Sequence, residues 1–394
     1  MRRRPHHLDL LPGSDSRRQQ TGAGPARRGF AERAHLHAQS VDPVRAQTRP
    51  VFSIRFPPAQ PPERLIAAAG RAEEAGFAGI WMVDTPLVAD DIFDPYVDLA
   101  VCALNTTRVW LGPAVSTFLL RHPVTVAAAV LGLHRVAGPR VRLGVGTGGS
   151  AAVTIGALAG HHGAYAGRAT AHHREVLRMG IDVVRRVFAG ERVDLGGRAV
   201  RTSGPRQIPV FVAASGPKAL KLAGELADGV IIQLGSDPDI FREAVRTVRE
   251  SASRVGRDSD AITVVASVFA AVSDDPRVDI DHIRPLASYF YSVTPWVLER
   301  AGFSVARRFP DRIPEPDLTH ARNWQDAMEV AKIYIPDEVV RQLCLVGPPE
   351  AAVERVRLLA GAGADEIFLR WWSSYDLPVP LMEVFRRRVI PAFV

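Results

Sequence analysis

Cysteine is scarce in this 394-residue chain: there are two, Cys102 and Cys344, far apart and each in apolar, helix-like surroundings. Two isolated thiols exclude a disulfide framework and a cysteine-based metal centre, and they read as buried free thiols in a reducing cytoplasm. Long hydrophobic runs are missing too, since no apolar stretch approaches the roughly 18 residues of a membrane span. A basic surface on the main body is also lacking, despite a net charge of +7. Residues 1–50 hold ten Arg against Asp9, Asp15, Glu32 and Asp42, which is 10 − 4 = +6. The rest therefore carries 7 − 6 = +1, and neither a nucleic-acid nor a membrane partner is expected.

Residues 1–50 show no sustained apolar period and read as a disordered, Arg-rich N-terminal extension. Their one apolar patch, around Leu8 to Leu11, is too short for a secretory signal. Residues 51–394 form the second segment, with strand, turn and amphipathic helix alternating along it. Short apolar strands are expected at 51–56, 79–84, 109–116, 140–146, 208–214, 229–233, 261–272 and 365–370. Helices are expected at about 62–76, 95–105, 123–136, 168–189, 217–227, 238–254 and 379–390, with several more between 276 and 345. Eight almost wholly apolar strands, each followed by a helix, predict parallel strands buried on both faces. The count favours an α/β fold of the (β/α)8 TIM-barrel type, with insertions after strands 3, 4 and 7.

Chemistry in such a barrel gathers at the C-terminal strand ends. Strand four runs into glycines at 144, 146, 148 and 149, which either let backbone amides approach a ligand or meet the steric needs of a tight turn. Strand five stops at Ala213 and Ala214, and Ser215-Gly216-Pro217-Lys218 opens a helix. That helix start either holds a phosphate on its free amides or is ordinary capping. Asp84 either forms a turn or aims a carboxylate into the mouth. Arg55 points inward, where it would attract an anion, or outward to solvent. His161, His162, His172 and His173 lack helical metal-ligand spacing and read as mostly solvated, with one available to the site. Trp371-Trp372 reads best as a plug at the barrel end.

Three segments together carry a resemblance: Gly112-Pro-Ala-Val-Ser-Thr-Phe-Leu-Leu-Arg-His-Pro123, Leu143-Gly-Val-Gly-Thr-Gly148, and the run from Val212 through Ser215-Gly-Pro-Lys218 to Gly229. They resemble the luciferase-like superfamily of flavin and deazaflavin oxidoreductases, most closely its coenzyme F420-dependent methylenetetrahydromethanopterin reductases. Trp296 to Gly302 and Cys344 to Glu350 fit the same subgroup. The resemblance implies that Ala213, Ala214, Ser215 and Gly216, with Lys218, hold the cofactor phosphate. It implies that Thr117, Gly146, Thr147 and Gly148 line the cofactor and that Asp84 contacts the ring. A non-prolyl cis peptide at Ala114–Val115, with a bulge behind the ring, is implied as well, and so is a homodimer.

The sequence departs from the reductases at three polar positions. Arg55 stands where they carry Glu, Thr85 follows the strand-two Asp where many relatives have His, and Gly149 replaces a frequent acidic residue. The cofactor cradle is intact, whereas the methanopterin substrate is not supported. The expectation is an F420H2-dependent oxidoreductase passing a hydride to a C=C or C=N bond of a small substrate. Asp84 would orient the ring or relay a proton, His122, His161 or Tyr165 would donate one, and Arg55 would pair with an anionic group. The alternatives are an FMNH2-dependent monooxygenase and a non-catalytic cofactor-binding homologue.

Overall fold

The structure is a computed structural model and describes residues 49–86, 92–148, 171–194, 196–304, 317–371 and 375–394. By its contacts the chain divides after Val44, and every described residue lies in the second unit, Arg45–Val394. Eight parallel strands dominate it: β1 (Val51–Phe56), β2 (Gly79–Met82), β3 (Trp110–Pro113), β4 (Leu143–Val145), β7 (Val210–Ala214), β8 (Gly229–Ile232), β9 (Thr263–Val272) and β11 (Glu366–Trp371). Between them lie a two-stranded hairpin, β5 (Val193–Asp194) with β6 (Ala199–Val200), and a short strand β10 (Leu345–Gly347).

Neighbour order along the sheet is β3-β2-β1-β11-β9-β8-β7-β4. The ends meet through two parallel bridges, Leu111 with Val141 and Ser116 with Val145, so the sheet closes into the expected (β/α)8 barrel. Between those bridges β3 advances 116 − 111 = 5 residues and β4 advances 145 − 141 = 4. One extra residue on β3 is a bulge. It holds the Ala114–Val115 peptide, which is cis.

Strand alternation sorts the side chains cleanly. On β1, Phe52, Ile54 and Phe56 face the helices and join the main core, while Ser53 and Arg55 face the barrel axis. A separate inner cluster fills the barrel: Trp81, Trp110, Phe211, Ile231, Val265 and Phe368. Trp81 sits edge-on to Trp110 at 4.6 Å and to Phe211 at 5.6 Å. Its indole needs the space that glycines leave on the facing wall. A Cβ on Gly144 would lie 2.3 Å from the Pro113 carbonyl and 3.3 Å from the Trp81 ring, and one on Gly112 would be 2.9 Å from it.

Beneath this layer sits Glu366, fully buried at the start of β11. It pairs with Arg142 Nη1 at 2.9 Å and accepts from Trp81 Nε1 at 3.1 Å and from the Ser53 hydroxyl. Arg142 stacks over Trp110 at 4.1 Å and Phe211 at 5.0 Å. The N-terminal end of the barrel is thus sealed by one satisfied ion pair among aromatics.

The helices follow the apolar pattern of the sequence. Pro62–Glu74 buries Leu65, Ala68, Ala69 and Ala72. Pro95–Leu104, Pro123–Ala137, Pro217–Leu226 and Pro238–Arg254 each begin on proline, whose fixed φ suits the first helical turn. Of the three expected insertions, the one after β3 is the short turn at 117–122. The one after β4 includes residues 149–170, outside the described residues. The one after β9 is large: helices Pro276–Ser292, Pro295–Arg300, Trp324–Tyr334 and Asp337–Leu343, then β10 paired with the tail of β9. Helix Pro349–Gly361 goes beyond the sequence expectation, and 379–390 is not one helix. It splits into α-helix Val379–Val384, π-helix Phe385–Val389 and 3₁₀-helix Ile390–Phe393.

Cys102 and Cys344 are buried free thiols, and burial pushes that of Cys102 up to about 12. Among the described residues no helix is long and apolar enough to cross a membrane, and no His/Cys/Asp/Glu group could hold a metal ion.

Candidate active site

The mouth at the C-terminal strand ends collects most of the residues singled out in the sequence. Ala213 and Ala214 close β7, and Gly216 precedes helix Pro217–Leu226 with no side-chain cap on its amides. The first-turn amides of a helix favour an anion. Here Pro217 has no N–H and the Ala219 amide donates to the Gly216 carbonyl at 3.0 Å, so the Gly216 and Lys218 amides are the ones left to face a ligand. A Cβ on Gly216 would meet nothing within 4 Å, so the space over this terminus is open. Ser215 does not cap the helix. Its hydroxyl donates to the Gln233 carbonyl at 3.2 Å and lies 3.1 Å from Tyr289 Oη. Lys218 is exposed on the first turn. The Gln233 Nε2, buried at the end of β8, has no hydrogen-bond partner among the described residues.

Across from this turn stand the β3 bulge and the end of β4. Gly146 receives the bulge directly: its own Cβ would lie 2.8 Å from Val115 Cγ2. Gly148 has φ +75°, a left-handed conformation suited to glycine. The glycine run therefore answers to sterics at 144 and 146 and to backbone conformation at 148. Ala114 and Val115 pack against the inner aromatic cluster, and Thr117 is buried with its Oγ1 accepting from the Leu119 amide at 3.3 Å. Thr147 is partly buried beside them.

Asp84 is buried just beyond β2, and both its oxygens are engaged. Arg121 Nε donates to Oδ2 and Nη2 to Oδ1, each at 2.8 Å, and the Ser116 hydroxyl donates to Oδ2 at 2.5 Å. The network continues outward. Tyr96 Oη lies 2.8 Å from Ser116 Oγ, and Arg121 Nη1 reaches Asp94 at 2.9 Å while lying over the Tyr96 ring. Asp94 in turn caps helix Pro95–Leu104 through the Tyr96 amide. Burial first, then the Asp84 charge, pushes the Tyr96 phenol up, so it remains a hydroxyl. Arg121, Tyr96 and Asp94 are members of this network that sequence reasoning missed, since their contacts appear only when separate loops meet.

The remaining expected acid–base residues fall elsewhere. His122 is exposed and caps helix Pro123–Ala137, its Nδ1 accepting from the Val124 amide at 3.3 Å. His161 and Tyr165 lie outside the described residues, as does Gly149. Tyr289, on the insertion helix, was also missed. Burial raises its pKa, which keeps its proton beside Ser215. Arg55 takes the inward of its two possible orientations and is buried, and burial followed by the charge of Arg370 pulls it down to about 9. Trp371 is buried at the end of β11, where it lends its carbonyl to Arg55 Nη2 at 3.5 Å.

A family model described as luciferase-like monooxygenase matches residues 34–366. The chain is 27% identical to the 5,10-methylenetetrahydromethanopterin reductase of Methanolobus tindarius over 323 residues, covering 80% of this chain and 92% of that one. It is 26% identical over 327 residues to the F420-dependent glucose-6-phosphate dehydrogenase of Gordonia bronchialis, 78% of this chain and 86% of that one. Among solved structures, the coenzyme F420-dependent tetrahydromethanopterin reductase of Methanopyrus kandleri shares the fold, with a TM-score of 0.70 at 23% identity, over 88% of this chain and all of that one.

Proposed function

The chain belongs to the luciferase-like monooxygenase family, and from that premise we propose that it is an F420-dependent oxidoreductase acting on a small substrate at the barrel mouth. The reading draws on relatives named as F420-dependent, and on one observation in particular. The uncapped helix start at Gly216, open above and flanked by the Ser215 hydroxyl, suits a phosphate-bearing cofactor. The Gln233 amide nearby is a buried donor with no partner among the described residues.

Bound there, the deazaflavin would supply hydride at C5 for a C=C or C=N bond. The protein's own contribution is positional. The Gly216 and Lys218 amides hold the phosphate, while Val115 and the 146–148 turn offer the ring a wall of small groups. Asp84, with both oxygens taken by Arg121 and Ser116, fixes the loops after β2 and β3. Tyr289 keeps its proton and joins the wall of the insertion to the phosphate turn.

Titrating the purified protein with F420 and, separately, with FMN tests the reading. Micromolar F420 binding with weak FMN binding is expected. Tight FMN binding without F420 binding, with oxygen consumed on turnover, would replace it by the monooxygenase alternative.

A further inference from the structure

Arg55 and Arg370 stand side by side on adjacent parallel strands. β1 pairs with β11 in a register that sets Ile54 against Leu369, so the next residues are neighbours at the same height. Both share the inward parity of their strands: Ser53 and Arg55 on β1, Glu366, Phe368 and Arg370 on β11. They occupy the top inward layer, above the inner aromatic cluster. Glu366, the carboxylate on the same face, lies at the opposite end and is committed to Arg142. Asp84 is committed to Arg121.

Arg370 is partly buried, and among the described residues its guanidinium has no hydrogen-bond or ion-pair partner. Its neighbours are the Phe269 ring, 4.7 Å from Cζ, and the electrostatic influence of Tyr289. Two guanidiniums brought together in an apolar enclosure repel each other and lose hydration, an arrangement that favours capture of an anion. Burial pulls Arg370 down to about 10, so both groups remain cationic at neutral pH.

The position of the pair says which anion. Around the ring β1, β11, β9, β8, β7, β4, β3, β2, strand β1 is four steps from β7, and β11 is four steps from β4. In an eight-stranded barrel four steps is the far side. Arg55 therefore faces the Ser215–Gly216 turn across the mouth and Arg370 the 146–148 turn, with Tyr289 standing between Arg370 and Ser215. We propose that Arg55 and Arg370 are the substrate's anion site, and that the substrate carries a carboxylate whose two oxygens this pair of planar forks receives. A guanidinium fork matches a carboxylate in two parallel hydrogen bonds. The Phe269 ring beside it suits a monoanion, because a dianion loses more hydration on entering. This deepens the oxidoreductase reading and rests on it for the word substrate.

Calorimetric titration with benzoate, and with its neutral counterpart benzamide, tests the site in the wild type, Arg370→Met and Arg370→Lys. Benzoate is expected to bind the wild type better than benzamide. Its Kd should rise at least tenfold in Arg370→Met and severalfold in Arg370→Lys, which keeps the charge but loses the fork. Thermal unfolding without ligand should show Arg370→Met no less stable than the wild type, since the change relieves repulsion. F420 affinity should stay within twofold in all three. Benzoate affinity that ignores Arg370, or that does not exceed benzamide affinity in the wild type, overturns the proposal. So does a parallel loss of F420 affinity, which would assign the anion to the cofactor. A protein that binds neither F420 nor FMN yet holds benzoate through Arg370 keeps the anion site and loses the oxidoreductase reading.

Discussion

Arg121 grips both carboxylate oxygens of Asp84 at 2.8 Å, joining the loop after β2 to the turn after β3. Asp84 is almost fully buried and Arg121 only slightly exposed. Breaking such a pair from one side costs about 3–5 kcal/mol, because it leaves a charge inside without its partner. Asp84→Ala should lower unfolding stability by roughly the smaller figure, since Arg121 retains Asp94. Denaturant unfolding checks it, and a change below about 1 kcal/mol would mean that solvent already screens the pair.

Gly216 offers a sharper separation of folding from binding. Aspartate is a preferred N-cap, and a Cβ here meets nothing within 4 Å. Gly216→Asp should therefore fold as well as the wild type or better. The same carboxylate would sit where the phosphate is held, so F420 affinity should fall by a hundredfold or more. Unchanged affinity would move the phosphate elsewhere.

The Ser215–Tyr289 contact calls for a milder outcome. Tyr289→Phe removes one hydroxyl that meets Ser215 at 3.1 Å, worth about 1 kcal/mol as a neutral hydrogen bond. Unfolding stability should drop by about 1 kcal/mol, and F420 affinity, which senses the bond only through the placement of Ser215, should fall about threefold or less. Ser215→Ala should match it, and the double variant should lose little more than either alone.

Glu73 should contribute to acid sensitivity. Burial pushes its carboxyl upward, but the amides of Arg108, Val109 and Thr107 and the Thr107 hydroxyl outweigh this and hold it at about 2. A carboxyl depressed in the folded state gives stability that is complete above its unfolded pKa and is lost as pH falls through the folded one. The window is therefore about pH 4.5 down to 2. Glu73→Gln should flatten the stability-against-pH curve there while lowering it at neutral pH. Chemical unfolding at several pH values would show both effects.

The fold was legible because its signals are local. Alternation along Val51–Phe56 and the apolar stripe of Pro62–Glu74 need no distant partner to be recognised. β10 was not legible, since three residues carry no period and it exists only against the tail of β9. The site was half legible for the same reason. Ser215 and Gly216 advertise themselves by standing between a strand and a proline. Arg121 and Tyr289 acquire their roles from Asp84, 37 positions away, and from Ser215, 74 positions away. Arg55 was undecided in sequence, and strand parity settled its direction: once Phe52, Ile54 and Phe56 are committed to the helices, residue 55 has only the inside left.

Trp81 decides how deep a visitor can go. With its indole lodged across the axis and glycines opposite making room for it, the cylinder is stopped at half height. A guest anchored by its charged end at Arg55 and Arg370 therefore meets an indole beneath it, and the rest of its length has to lie on the mouth side of that ring.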